Sequence, residues 1–240
     1  MMCDQLGCRE CATCKLSATA EWRSISASGL KILGKFKRER KLRPGEIIHN
    51  QGDPSDGIYC LRDGLVGERR VDCEGRAVLV RLHHPGAIFG YRETLSETPY
   101  ANSVEALRES RICFIGRSTL RELMGCCPDL PGAFLRRSMS DCRQLEDRLV
   151  EARAYGVKHR FLQVLLDLYQ KSSGADECCE DALDLPVTRQ DLAGLVGTAP
   201  ETLSRTIRQL EKEGLVHFSG QRAYFLDIAL VSKELNGLPI

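Results

Sequence analysis

The alternation of apolar and polar positions changes rhythm twice along this chain. From Leu42 to about Ile115, short apolar runs are cut by glycines at positions 45, 52, 57, 64, 75 and 86. The runs are Glu46 to His49, Gly57 to Leu61, Leu65 to Val71, Ala77 to Leu82 and Arg111 to Ile115. Runs this short, bounded by residues that tolerate tight reversal, predict strands, and their close succession predicts an antiparallel roll. After Pro128 the period lengthens: Leu135, Cys142 and Leu149 recur every seven residues, with Ser138, Leu145 and Ala152 as a second row. That pattern predicts one long helix whose sticky side carries Leu135, Met139, Cys142, Leu145, Glu146, Leu149 and Val150. Flanked by Arg136, Arg137, Arg143 and Arg148, the seam is too narrow for ordinary core packing and suits pairing with a second copy.

A second amphipathic helix is expected from Val157 to Lys171, followed by a loop of small and acidic residues through Asp184 that holds Cys178 and Cys179. Beyond it, Thr188-Arg-Gln-Asp191 and Thr198-Ala-Pro-Glu201 both resemble capping boxes, in which a threonine hydroxyl and a carboxylate satisfy first-turn amides reciprocally. Two helices starting ten residues apart, the first closed by Gly197, predict a helix-turn-helix. In the second helix Leu203, Ile207 and Leu210 mark the buried face, while Glu201, Ser204, Arg205 and Arg208 recur on another. Arginine's planar fork matches guanine O6 and N7, and a glutamate can accept from cytosine N4. After Gly214, Leu215 to Phe218 and Ala223 to Leu226 flank the turn Ser219-Gly220-Gln221-Arg222 and complete a wing, with Arg222 placed for phosphate.

The division expected is a cysteine-rich arm over 1–29, a sensory roll over 30–127, a dimerisation helix over 128–156 and a winged helix-turn-helix over 157–240. The fold class is therefore α+β. Hydrophobic residues make up 42% and charged residues 28% of the 240 positions, an ordinary globular balance, and the net charge of +1 excludes DNA binding by sheer excess of positive charge. With no long apolar run and no apolar stretch between Met1 and Cys14, the expected location is the cytoplasm, without a membrane. A basic run, Lys31, Lys35, Lys37, Arg38, Arg40, Lys41 and Arg43, reads as a solvated face.

Twelve cysteines are many for a reducing compartment, where thiol clusters more often serve metals or redox chemistry than disulfides. Cys8, Cys11 and Cys14 form a C-x2-C-x2-C run, the spacing with which ferredoxins wrap three thiolates around a cubane, with Cys3 upstream as a substitute. Zinc and a thiol redox switch remain open for the same run, as does haem through His83 or His84. An iron-sulfur electron carrier is the rival from another class, though no second cluster motif or catalytic constellation supports it. Cys60, Cys73, Cys126, Cys127 and Cys142 read as packing residues or bystanders, and His49 and His159 as structural.

Roll, long helix and winged helix-turn-helix together resemble the cyclic-AMP receptor and FNR family of transcription regulators. Glu201-Thr-Leu-Ser204-Arg205 is similar to the E-x-x-S-R signature of the FNR branch. That resemblance implies a homodimer on double-stranded DNA at an inverted repeat near TTGAT-N4-ATCAA, contact with RNA polymerase, and a [4Fe-4S] cluster with Cys113 as the remote ligand. It also implies an acidic residue near the seam, here Glu146, that opposes the dimer when the cluster is lost. The branch commonly spaces its arm cysteines C-x2-C-x5-C, and this chain compresses the second gap. Where cyclic-AMP binders carry a Gly-Glu and an Arg-Ser pair, this chain has Gly90-Tyr91 and Tyr100-Ala101, which supply neither a carboxylate for ribose nor a cation for phosphate. Cyclic AMP is not expected as the ligand.

Overall fold

The computed structural model describes Trp22 and residues 25–172, 182–226 and 228–236. A short helix α1 (Ala27–Phe36), capped by the Ser26 hydroxyl accepting from the Gly29 amide, leads into the roll. The roll comprises β1 (Arg38–Leu42), β2 (Ile47–His49), β3 (Gly57–Asp63), β4 (Val66–Val71), β5 (Ala77–His83), β6 (Ile88–Phe89), α2 (Tyr91–Ser96), β7 (Ser103–Ala106) and β8 (Ser110–Gly116). Two four-stranded antiparallel sheets result, ordered β1-β8-β3-β6 and β2-β7-β4-β5. Helices α3 (Arg117–Cys126) and α4 (Asp129–Ala154) follow.

Strands β3 and β8 have two buried faces, and their side chains alternate between two cores, as the period of two demands. Tyr59, Leu61 and Ile112 enter the space between the sheets with Leu42, Ile48, Val66, Phe89, Tyr100, Val104 and Ala106. Ile58, Cys60, Cys113 and Ile115 turn the other way, into a second core built with Trp22, Leu33, Leu120, Leu123, Leu130 and Phe134. Helix α1 lies close over this second core because it carries Gly29 there: a Cβ at that position would come within 2.6 Å of the Cys127 sulfur.

Strand β1 escapes a periodicity reading because Arg38-Glu-Arg-Lys-Leu42 is charged almost throughout. As the edge of its sheet it pairs only with β8, and charge on an edge strand discourages pairing with another chain. The short strands β6 and β7 are likewise additional to the expected set.

The remainder holds α5 (Val157–Ser172), β9 (Ala182–Asp184), α6 (Arg189–Val196), α7 (Pro200–Lys212), β10 (Val216–Ser219), β11 (Arg222–Phe225) and α8 (Ile228–Asn236). Where a loop was expected through Asp184, its last three residues instead form β9, which pairs with β11 and makes the wing a three-stranded sheet. Phe161, Leu162 and Leu165 of α5, Leu192 and Val196 of α6, and Leu203, Ile207 and Leu210 of α7 are buried together with wing residues Val216, Ala223 and Phe225. Two compact units divide inside α4, between Gln144 and Leu145, with residues 72–81 grouped in the second. No helix among the described residues is long and apolar enough to cross a membrane.

Candidate DNA-reading helix and sensory core

Helix α6 begins with the expected reciprocal cap. The Asp191 amide donates to the Thr188 hydroxyl at 3.1 Å, and the Thr188 amide donates to the Asp191 carboxylate at 3.0 Å. Gly197 ends the helix with φ of 70°, a left-handed conformation that favours glycine. The second cap differs from expectation: Ala199, not Thr198, precedes α7, with no side-chain hydrogen bond. Pro200 occupies the first helical position, where its fixed φ suits the helix start and its missing N–H needs no partner, so a Thr198 cap is unnecessary. Thr198 donates its amide to the Ala193 carbonyl and belongs to the end of α6.

On α7, Leu203, Thr206, Ile207 and Leu210 face inward, while Glu201, Arg205 and Arg208 are exposed. Ser204 is half-buried and its hydroxyl donates to the Pro200 carbonyl at 2.8 Å, leaving its lone pairs outward-facing acceptors. This face presents one acceptor carboxylate and two guanidinium forks from a rigid helix, the equipment for reading base edges. In the wing, Arg222 is exposed but pairs with Asp184 across the strands at 2.8 Å, so phosphate must compete with that carboxylate.

Helix α4 has a buried side, Leu130, Ala133, Phe134 and Asp141, and a separate exposed row of apolar side chains. Leu135, Met139, Leu145, Leu149 and Val150 are all at least half exposed, and Cys142 is exposed. Steps of four, three, four and three link Leu135, Met139, Cys142, Glu146 and Leu149. Glu146 therefore lies within the row rather than beside it. Of the second row expected from spacing, Ser138 is half-buried and back-bonded to the Phe134 carbonyl, so it is replaced by Met139 and Glu146.

In the roll, Cys113 is 9% exposed on the helix-facing side of β8. Directly opposite on β3 stands Cys60, 4% exposed, which belongs to the same core. Sequence reasoning left Cys60 as a packing residue because only the β3–β8 register reveals the pairing. Trp22 and Ile25, at the root of the arm, pack into this core too. Cys3, Cys8, Cys11 and Cys14 lie outside the described residues, as do Cys178 and Cys179. At the end of α3 the Cys127 sulfur contacts the Ser26 hydroxyl at 3.4 Å and the Cys126 sulfur at 3.6 Å. Among the described residues no group of three or more His, Cys, Asp or Glu side chains is gathered to hold a metal.

The positions that would bind a cyclic nucleotide are committed elsewhere. The Tyr91 hydroxyl donates to the buried Asp141 carboxylate on α4 at 2.8 Å; burial, and then this partner, push its pKa up to about 12. The Tyr100 hydroxyl donates to the Gly57 carbonyl at 2.7 Å, and its ring stacks on His49 with centroids 3.8 Å apart. Tyr59 and Phe89 continue the stack, so aromatic rings fill the space between the sheets. Burial holds His49 down to about 4, against an ordinary 6.5.

His83 is not a solvated turn residue. It is buried on β5 with Nε2 3.0 Å from a Glu68 oxygen, and Asn102 donates to the other oxygen of that carboxylate at 2.5 Å. His159 stacks on Tyr155.

Residues 39–125 match the family described as Cyclic nucleotide-binding domain, and residues 159–231 the Crp-like helix-turn-helix domain. The chain is similar to the Transcriptional activator protein anr of Pseudomonas aeruginosa, with 24% identity over 95% of this chain and 94% of the relative. It is also similar to an Anaerobic regulatory protein of Haemophilus influenzae, with 21% identity over 97% and 88%. Among solved structures, FixK2 from Bradyrhizobium japonicum superposes with a TM-score of 0.70 at 22% identity, covering 82% of this chain and 96% of the other; it shares the fold.

Proposed function

Because the chain belongs to the Crp/FNR family of transcription regulators, and so is a DNA-binding regulator and not an enzyme, we propose that its DNA affinity is governed by an oxygen-labile [4Fe-4S] cluster held by the N-terminal arm and the roll. Cys8, Cys11 and Cys14, with Cys3 as the substitute, would be the arm's ligands, and Cys113 the roll's. The observation that carries this reading is that Cys113 shares its core with Trp22 and Ile25, the root of the cysteine-bearing arm. Cys14 lies eight positions before Trp22, a span that extends to at most about 28 Å, so reach is no obstacle. A thiol on a paired strand suits the soft, thiolate-preferring cluster. When bound, such a cluster supplies chemistry that thiols lack, namely rapid destruction by oxygen. The relative called an Anaerobic regulatory protein supports the same theme.

The chain's own residues carry the remaining steps. Cys113 lies in the middle of β8, the strand leading to α3 and α4, and Tyr91 ties the roll to Asp141 of α4, so a tether at Cys113 would bear on the dimer helix through covalent and hydrogen-bonded links. In a parallel pair of α4 helices Glu146 would meet its counterpart within the apolar row, and the repulsion would favour separation of the apo form. Two recognition helices one DNA turn apart would then read an inverted repeat near TTGAT-N4-ATCAA, Arg205 on the guanine and Glu201 on the opposite cytosine. Cyclic AMP has no place in this scheme, because Tyr91 and Tyr100 engage protein groups and rings fill the roll. Haem through His83 is disfavoured by its bond to Glu68. We further propose RNA polymerase as a partner and the cytoplasm as the location.

The test is anaerobic purification with a visible spectrum and metal analysis. About four irons per chain, bleached by air and lost in Cys113→Ser and Cys11→Ser, are expected. Stoichiometric zinc without iron under strict anaerobiosis would overturn the cluster.

A further inference from the structure

We propose that Cys126 and Cys127 form a vicinal dithiol that chelates a soft, thiophilic ligand of the trivalent arsenical class, and that Ser26 at the start of α1 gives way when the ligand binds. The site stands apart from the cluster reading above, and no step in it involves iron.

The order Cys126-Cys127-Pro128 sets the geometry. A proline disfavours helical backbone at the residue before it, so α3 closes at Cys126, and Cys127 leaves it with φ of −127° and ψ of 87°. Adjacent side chains within a helix do not face each other, but this break brings the two sulfurs to 3.6 Å. At the roughly 2.3 Å of a metal–thiolate bond, two sulfurs held at angles of about 95–110° stand about 3.4–3.8 Å apart, so the pair already has the bite of a chelate. It is poorly placed for a disulfide instead: Cα atoms across a trans peptide are about 3.8 Å apart, short of the roughly 4.4–6.8 Å that a disulfide spans. A tetrahedral ion such as zinc would need further ligands, and among the described residues no third His, Cys, Asp or Glu joins the pair. An arsenical that carries one organic group needs only the two sulfurs.

Access and reactivity are divided between the two cysteines. Cys126 is exposed, whereas Cys127 is buried beside Ser26, an exposed residue whose hydroxyl lies 3.4 Å from the Cys127 sulfur. Burial raises the pKa of the Cys127 thiol, yet the hydroxyl and amide of Ser26 and the Cys126 thiol donate to its sulfur and bring it below the ordinary value. Cys126 goes the other way, raised by desolvation and by sharing its proton with Cys127. The pair thus offers a favoured thiolate, the form that bonds to soft ions, beside a thiol that solvent reaches. With phenylarsine oxide the two thiols give up their protons, the arsenic–oxygen bond breaks, two arsenic–sulfur bonds form and one water leaves. Arsenic stays trivalent, and no oxidant or reductant is consumed. To close the chelate, Cys127 must exchange its Ser26 contact for arsenic, and the Ser26 hydroxyl also caps α1. Binding therefore loosens the junction between the arm and the roll.

The probe is phenylarsine oxide, added to the reduced, metal-free full chain. After gel filtration and trypsin, the peptide Glu122–Arg136, which holds these two cysteines and no other, should carry one phenylarsenic group. A second form of the full chain, with Cys3, Cys8, Cys11, Cys14, Cys178 and Cys179 replaced by serine, gives the stoichiometry and the consequence. It should bind one arsenical per chain and change the emission of Trp22, the single tryptophan, which shares a core with Cys127. An excess of a competing small dithiol should reverse both effects. In that background Cys126→Ser removes an exposed thiol and leaves the core intact, and it should weaken binding on the order of 100-fold or more, the advantage that a second linked bond confers. A Glu122–Arg136 peptide without arsenic, or an affinity unchanged by Cys126→Ser, would overturn the site. Arsenic bound there with no change at Trp22 would overturn the displacement of Ser26 while supporting the chelate.

Discussion

The two units turn their polar groups in opposite directions. On α7, Glu201, Arg205 and Arg208 stand exposed on a helix whose buried side is almost wholly apolar. In the roll and on the neighbouring part of α4, buried polar groups bond in two sets, Glu68 with His83 and Asn102, and Tyr91 with Asp141. A surface that reads DNA must keep its hydrogen-bonding groups available to base edges, so the helix is anchored mainly by the hydrocarbon of Leu203, Ile207 and Leu210. In the roll, buried polar pairs between elements resist independent movement because breaking one strands its partner without water. Changes among the buried pairs of the roll should accordingly alter stability, whereas changes on the exposed face of α7 should alter DNA preference and leave stability nearly untouched.

The sharpest test of that contrast is Phe134, buried between α4 and the roll against Trp22 and Tyr91. Phe134→Ala should destabilise the chain by about 3–5 kcal/mol, measured by urea unfolding of the metal-free form, with the loss shared by the Tyr91–Asp141 pair that Phe134 helps to exclude from water. A loss below about 1 kcal/mol would mean that α4 is only loosely fixed to the roll.

His49 provides a pH test. Folding holds it down to about 4 from an ordinary 6.5, chiefly through burial. Between those values the unfolded chain binds a proton that the folded chain does not. Stability therefore falls as pH drops from about 6.5 toward 4, and the group adds no further loss below its folded value. The full effect is on the order of 3 kcal/mol. His49→Phe should flatten this part of the pH profile of urea midpoints, whereas an unchanged slope would assign the acid sensitivity to carboxylates.

At the DNA surface, Arg205→Ala should cost roughly 1–3 kcal/mol per half-site, confined to operators that retain the G·C pair, with unfolding unaffected. Equal weakening on all sequences, measured by titration of matched and substituted duplexes, would make Arg205 a backbone contact. Glu146→Ala should have a smaller effect, tightening the apo dimer by about 0.5 kcal/mol if two carboxylates meet in the row. Sedimentation of the apoprotein with an unchanged monomer fraction would remove Glu146 from the switch.

What could be read from the sequence follows from how local each signal is. The Thr188–Asp191 cap and Gly197 lie within one helix and its stop, and they appear where spacing puts them. Thr198 failed as a cap because Pro200, two residues later, resets the helix start. Strand β1 was hidden by edge charges, and β9 by its position at the end of a polar stretch, where pairing with distant β11 decides its conformation. The partners of Cys113, Tyr91 and His83 lie on other strands or helices and become visible only when register is fixed. Cys60 is the plainest case: 53 residues separate it from Cys113, and no local pattern links the two.

The smallest expected effect concerns Arg222, where the two styles of polar placement meet. It is exposed like the residues of α7, yet it has a partner, Asp184, like those of the roll. An exposed ion pair contributes little to stability because water and salt screen it, so Arg222→Ala should leave the urea midpoint nearly unchanged. Its effect on DNA should appear in salt dependence: if Arg222 leaves Asp184 for a phosphate, the slope of log affinity against log salt should lose about one unit, equally for matched and substituted operators. Asp184→Asn separates the two roles. It removes the competing charge while keeping the guanidinium and its Tyr224 contact, so binding to all sequences should strengthen slightly and the slope should not fall. If Asp184→Asn instead weakens binding as much as Arg222→Ala does, the ion pair is needed to hold the three-stranded wing in shape, and Arg222 belongs with the buried pairs of the roll rather than with the reading face.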